Sequence, residues 1–496
     1  MKRFLYTLLT SYLLLLTSYL LVGCDEKVSD THQETVLPQI YPDYVGVTIP
    51  VNIAPLNFNM NDETALRVDA IISDSHGNSL HSQGEESVDF DIDDWHTLLS
   101  QNRGDSLSVT VSAKYEDGWH TYHPFSIYVS PDSIDYGICY RLIEPGYEVW
   151  SKMGIYERDL SSFDEHPLIE NTQFEGCVNC HSFNRGNPAD MSLHIRGPHG
   201  ATLLRINYGP VTAYNTKTDQ TLGLCVYPYW HPSGRYIAYS TNTTRQLFHS
   251  AHPNRIEVFD EASDLQIYDV EKNELLLSPL VKQDSIYETF PVFSADGRSI
   301  YFCAAHALPE GSIQLDSIRY NLCRIDFNPA TGTFGNNIET IVDAEALHKS
   351  VSFPRPSYDG RFLCYTLSDY GQFSIWHHEA DLWLLDLATG ESRLMDGANS
   401  KDTESFHNWS TNSHWLVLSS RRDDGLFTRP YFCHVDAEGR VTKAFMLPQR
   451  NPRRFYRDRF LSFNVPEFIT GPTRFDGRQA SRIINDESRK NFGLRK

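Results

Sequence analysis

The chain is expected to be an all-β protein, with an N-terminal β-sandwich-like domain followed by a β-propeller. Three observations carry that expectation. Four segments, 229–239, 292–302, 355–365 and 408–418, repeat one pattern of an entering pair, a tight turn and an alternating strand. Between residues 45 and 134, short runs such as Leu107-Ser108-Val109-Thr110-Val111 alternate apolar and polar residues, which marks half-buried strands. The composition, 40% hydrophobic with Gly 29 and Pro 25 among 496 residues, supports a packed core and excludes a fibrous or disordered whole.

Taken in order, the N-terminus has a short basic start, Met1-Lys2-Arg3, and then an apolar stretch over residues 4–22. Leu21-Val22-Gly23-Cys24 resembles the lipobox of bacterial lipoproteins. The resemblance implies a signal peptide over residues 1–23, cleavage before Cys24, and acylation (palmitate) of Cys24. A plain secretory peptide or a spanning anchor is the alternative. Asp25-Glu26 resembles the acidic signal of surface-exposed Bacteroidetes lipoproteins, so the expected address is the outer membrane of the cell envelope, on its periplasmic or external face. A net charge of −21 argues against nucleic acid as a partner and against docking on anionic headgroups, leaving the acyl chains as the membrane attachment. Residues 24–44 are polar at first and read as a tether, with the sandwich domain expected over 45–134.

The repeat organises the rest. Gly234, Gly297 and Gly360 are spaced 63 residues apart, and Ser413 takes the same place after 53 more. Each copy is a hairpin able to bury one face against a neighbour, which radial stacking of four-stranded blades satisfies. A β-helix or serial sandwiches are the other architectures such a repeat allows. The segments resemble the blade element of the TolB-type propeller family, Pro-x-[Trp/Phe]-Ser-x-Asp-Gly-Arg-x-Ile-x-Phe, over residues 139–444. With two diffuse blades at 141–160 and 193–222, that resemblance implies six blades within residues 135–452. Residues 453–496 are expected to be a closing strand or edge wrap and a tail.

The pointed chemical signal is Cys177-Val178-Asn179-Cys180-His181, expected in a loop at 174–200. Cys-x-x-Cys-His is the attachment motif of c-type haem: two thiols three apart reach two vinyl groups of one porphyrin edge, and the adjacent imidazole meets the iron. On that reading His181 binds the haem iron, and Met191 or His194 would be a sequence-local sixth ligand. The alternatives are a disulfide or redox dithiol, or a zinc site completed by His194 and His199. The segment also resembles propeller lipoproteins of Bacteroidetes labelled for cytochrome c biogenesis, a label that adds nothing beyond the motif.

No Gly-x-Ser-x-Gly, His-Glu-x-x-His or phosphate-loop element occurs. His377-His378-Glu379 reads as a blade loop, and Cys139, Cys225, Cys303, Cys323, Cys364 and Cys433 read as packing thiols. Without a catalytic motif, a non-enzymatic role is favoured. Two functions follow: a lipid-anchored propeller that holds a protein or envelope ligand at its face, or a c-type haem electron-transfer protein.

Overall fold

A computed structural model describes residues 25–145, 152–309, 311–312, 314–486 and 488–495. The leader, Cys24 and residues 146–151 lie outside the described residues.

Six blades surround a common axis. In blades 2 to 6 the innermost strands are Cys177–Asn184, Val226–Trp230, Ile286–Phe293, Ser350–Pro356 and Glu404–Trp409, each followed outward by antiparallel partners. Blade 1 is completed from the far end of the chain: Ser462–Ile469 forms its innermost strand and pairs with Gly137–Ile143. The ring is therefore closed by hydrogen bonds between its first and last segments, which removes the open edges of a linear array. The segment 453–496 does more than close. Lys490–Asn491 extends the outer edge of blade 2 and Gly493–Leu494 that of blade 3. Between them Phe492 stacks on Tyr268 at 3.7 Å and 8°.

The repeated turn has a local cause. Asp296 Oδ1 accepts from Ser294 Oγ at 2.6 Å and from the Arg298 amide at 3.0 Å, and Asp359 repeats both bonds in its own turn. Asn412 does the same with Ser410 and His414. The glycine position must be left-handed: Gly234, Gly297 and Gly360 have φ of 74°, 71° and 76°, and Ser413 adopts 65°. Its hydroxyl accepts from the Asp359 amide at 3.0 Å, tying the serine copy of the turn to the neighbouring blade.

The N-terminal domain differs from the sandwich expected. Its main sheet runs His32–Gln33, Gly118–Thr121, Ser106–Tyr115, Arg67–Ser73, Ser79–Gly84, with Phe125–Val129 and Thr48–Ile49 on a branch. Opposite lies a helix, Ile92–Gln101, and a two-stranded ladder of Ile40–Tyr41 with Asn59–Met60. Asp91 caps the helix by accepting from the Asp93 and Asp94 amides, and Trp95, Leu98 and Leu99 at helical spacing bury its inner face. Such 3.6-residue spacing carries no period-two alternation. Residues 25–44, expected as a tether, lie along the domain: Ile40 and Tyr44 are buried and Glu26 pairs with Lys114.

Candidate functional site

Every innermost strand carries an irregularity at the same place. The register slips between Val226 and Tyr229, Thr289 and Val292, Ser352 and Arg355, and Ser405 and Asn408. In the closing strand it slips across Val465 and Pro466. At these bulges Tyr227, Phe290, Phe353, Phe406 and Val465 take left-handed φ between 41° and 53°, a strained conformation for bulky residues. Their side chains converge on the axis. Tyr227 meets Phe290 at 4.6 Å, Phe290 meets Phe353 at 4.7 Å, and Phe353 meets Phe406 at 4.7 Å between ring centroids, forming an aromatic arc.

Cys180 is the sixth member of this ring. Asn408 Oδ1 accepts from the Phe468 amide at 3.2 Å, and Glu467 Oε1 accepts from the Phe183 amide at 2.9 Å. These two equivalent bonds between successive blades align Phe406 with Val465 and Val465 with Cys180. The motif therefore lies on a strand, not in the loop expected at 174–200. The bulge between Val178 and His181 is what lets neighbours on an extended chain approach the same wall.

The ring narrows an axial cavity of about 270 Å³. Cys177, Asn179, Cys180 and His181 form one side and the aromatic arc the other, with Arg141, Arg196, Arg355 and Arg421 among the lining. Thr244, Gln246 and Val258 reach over it from the long blade 3 hairpin, Tyr236–Phe248 with Ile256–Asp269. A more open depression of about 390 Å³ lies between the N-terminal domain and the helix Pro452–Asp458, and carries none of the motif residues.

Cys177 and Cys180 are free thiols. Burial pushes Cys177 up, against the lowering pull of Arg141 and Arg196. His181 is 3% exposed, and burial lowers it to about 4, so its imidazole is neutral. Neither ring nitrogen makes a hydrogen bond of normal geometry, although the Cys139 carbonyl is near enough to raise the pKa in part. His407 holds the same position in blade 6, with Nε2 3.0 Å from the Cys364 carbonyl oxygen. Elsewhere in the ring, at 228, 291, 354 and 466, this position is proline.

Met191 and His194 lie on the next strand, Asn187–Arg196, three apart and so on opposite faces. Met191 packs with Val178, Phe183 and Leu193, while His194 Nδ1 sits 3.2 Å from Thr202 Oγ1. Neither lines the cavity. Among the described residues, the groups of three His and Asp ligand atoms close enough to share a metal are elsewhere, at His32, Asp117, His120 and at Asp132, His414, His434. His377 is not a free loop side chain: its Nε2 lies 2.8 Å from Glu257 Oε2 and its Nδ1 3.3 Å from Glu379.

No protein-family model matches the chain, and no curated protein does. Solved structures share its general shape. They include oligogalacturonate lyase from Vibrio parahaemolyticus, at 13% identity over 63% of this chain and 79% of the lyase, with a TM-score of 0.36. The periplasmic gluconolactonase of Pseudomonas aeruginosa is 13% identical over 68% of this chain and 100% of its own, TM-score 0.33. A DUF4784 family protein from Bacteroides caccae is 8% identical over 76% and 98%, TM-score 0.30. The likeness is distant in both sequence and superposition.

The ring was legible in part. The repeat frame beginning at 229, 292 and 355 starts two residues too late. Tyr227-Pro228, Phe290-Pro291, Phe353-Pro354 and Val465-Pro466 are the signal that marks the axial positions, and Cys180-His181 stands where that pair stands in blade 2.

Proposed function

We propose that this protein is an extracytoplasmic, lipid-anchored binding module whose ligand, a small molecule or a segment of a partner, enters the axial cavity and meets the wall formed by Cys177, Asn179, Cys180 and His181. The observation that carries this reading is the convergence on one cavity of six equivalent positions, five of them strained and apolar, with Cys180 as the single departure. Five bulky side chains held in left-handed backbone cost of order 1–3 kcal/mol each, a strain that clusters at functional sites. The anchor would be Cys24, and the acidic body would hold clear of anionic lipid.

Thiol accessibility tests it. In protein purified from its own membranes, a bound ligand should slow alkylation of Cys177 at least tenfold, and mild denaturation should release the ligand for mass analysis. Equal alkylation rates before and after such release, with nothing released, would overturn the reading. Intact mass tests acylation at Cys24 in the same sample.

A second reading is supported by one specific feature: two thiols and a neutral, unpaired imidazole share a wall facing aromatic rings, a donor set that suits a c-type haem. Cys177 and Cys180 would hold the porphyrin and His181 the iron, and the bound group would supply one-electron redox chemistry. Cells able to attach haem should then yield a protein whose Soret band survives acid-acetone extraction and vanishes in the Cys177→Ser, Cys180→Ser variant. A colourless protein from such cells removes this reading and leaves the first.

A further inference from the structure

We infer that the axial cavity takes a molecule carrying carboxylates or similar anionic groups on an apolar body, with Arg196, Arg355 and Arg421 as the groups that read its charge. This deepens the binding reading and rests on it. The chain as a whole carries −21, yet the described residues that line the cavity include four arginines and one acid, Glu144. A desolvated guanidinium is costly unless an anion or a full set of acceptors meets it. Some buried or partly buried arginines elsewhere in this molecule have a carboxylate, Arg235 with Asp269 at 2.8 Å, Arg422 with Glu404 at 3.0 Å and Arg459 with Glu165 at 2.7 Å, whereas Arg158 and Arg205 donate to the carbonyls of Pro448 and Pro188.

Arg421 and Arg355 are of this second kind, but they line the cavity. Arg421 is 2% exposed and lies over Trp376 at 3.5 Å, and its Nε donates to the Ile375 carbonyl at 2.7 Å. Its hydrogen-bond partners are carbonyls, and among the described residues no carboxylate approaches it within 4.0 Å. Burial has lowered its pKa to about 9, against the weaker pull of the more distant Asp402 and Asp424. Arg355 donates to the Pro354 carbonyl at 2.9 Å and leans over Tyr229. Arg196, at the exposed end of its strand, has neither an ion pair nor a hydrogen bond from its side chain among the described residues. Arg141 is bound to Asn179 Oδ1 at 2.7 Å, and its buried Nε has no partner. Among the described residues, four arginines against the one acid Glu144 thus concentrate positive charge at the mouth of a cavity floored by aromatic rings. An anion there would gain bidentate contacts in a poorly hydrated site, while its ring or chain lies on Phe353 and Phe406.

The overall acidity makes a further demand. Long-range repulsion slows an anion's approach, so recognition must be short-range, and added salt should screen the repulsion more than the buried contacts.

The test uses paired probes of one shape: naphthalene-2,6-dicarboxylate and its dimethyl ester, titrated into the full chain with protection of Cys177 from alkylation as readout. The dianion should bind at least tenfold more tightly than the ester. That preference should disappear in the Arg196→Ala, Arg355→Ala variant and persist in the corresponding double lysine variant, with the melting temperature of each checking the fold. Equal binding of the two probes, or a preference that survives removal of both arginines, would overturn the inference while leaving the cavity a binding site. Failure of both probes to protect Cys177 overturns the inference and counts against the binding reading as well. Haemin and its dimethyl ester form a second pair, and colour that stays with the polypeptide in acid-acetone would assign the carboxylates to an attached haem and not to a free ligand.

Discussion

Glu467 shows how a residue that no motif marks can control the stability of the site. It lies on the closing strand, and its carboxylate meets the Phe183 amide of blade 2 at 2.9 Å. Burial pushes it to about 8, against the lowering effect of that bond and of Arg355. The sign follows directly. The folded chain keeps a proton that an unfolded glutamic acid releases near pH 4.3, so this group's contribution is fully present below about pH 4.3 and is lost as pH rises towards 8. The penalty is on the order of a few kcal/mol once the group ionises. Glu467→Gln keeps an acceptor for Phe183 without the ionisation, so thermal melts should show the variant more stable than wild type at pH 8.5 and no better at pH 4. A gain that does not depend on pH would mean that the carboxyl is not held neutral. The neighbouring His181 shows the limit of motif reading at this scale. The spacing of Cys177, Cys180 and His181 marks chemistry in sequence, yet only the fold shows that His181 occupies the position filled by proline in four blades and by His407 in another, because that equivalence runs through bonds between blades.

Among the elements, the long blade 3 hairpin has a role the repeat alone does not reveal. Its strands run past the edge of the sheet and dock on blade 5, where Glu257 meets His377 at 2.8 Å and Tyr370 at 2.6 Å. Burial alone would depress His377, but hydrogen bonds to Glu257 and Glu379 raise it to about 9, so it is an imidazolium held between two carboxylates. Its contribution is complete below about pH 6.5 and is lost as pH climbs through 9. His377→Ala leaves the buried Glu257 without its imidazolium, with the Tyr370 hydroxyl and the longer contact to His249 remaining, so the loss should approach but not exceed the roughly 3–5 kcal/mol of a broken buried pair. Hydrogen-exchange protection over residues 244–258 should fall by at least a hundredfold in that variant at pH 7, with protection of Ser350–Pro356 retained. Unchanged protection would show that the hairpin is held by its apolar contacts alone. Adjacent residues on an extended strand diverge, so the trio reads as a loop in sequence; in the fold His377 meets Glu257, 120 residues away, while His378 turns to Asp402. The closing strand was more legible, since a ring of blades needs an end, but its partner was not. Removing residues 459–496 takes away the innermost strand of blade 1 and should abolish cooperative unfolding in calorimetry. Phe492→Ala removes only an outer clasp and should cost about 3 kcal/mol.

For the whole molecule, two domains that the sequence divides at residue 134 share one core. A continuous cluster of buried side chains includes Trp95, Val109 and Ile127 from the N-terminal domain and Trp415, Phe432, Phe445 and Met446 from blade 6. Polar contacts cross at the same place: Asn412 Nδ2 donates to the Ser133 carbonyl at 2.8 Å, His434 Nε2 lies 2.9 Å from Asp132, and Lys443 meets Asp43 at 2.7 Å. Alternation and turn residues reveal each domain separately, because they report which face of a strand is apolar and not what covers it. The outer face of blade 6 is apolar for a reason outside the propeller. Unfolding should therefore be a single calorimetric transition, with no separate melting of residues 25–134. A chain beginning at residue 134 would expose Trp415 and Tyr431 together with the other blade 6 residues in that cluster, a patch large enough to drive association. It should be recovered as aggregate, whereas the same deletion supplemented in trans with residues 25–133 should regain solubility. A soluble, monomeric propeller from the truncated chain alone would show that the two domains are stable bodies in contact. In that case the N-terminal domain would be free to move relative to the cavity, and a ligand bound at Cys180 would not be expected to alter its stability. With one shared core, the reverse holds: a ligand that binds the folded propeller should raise the melting temperature of both domains together.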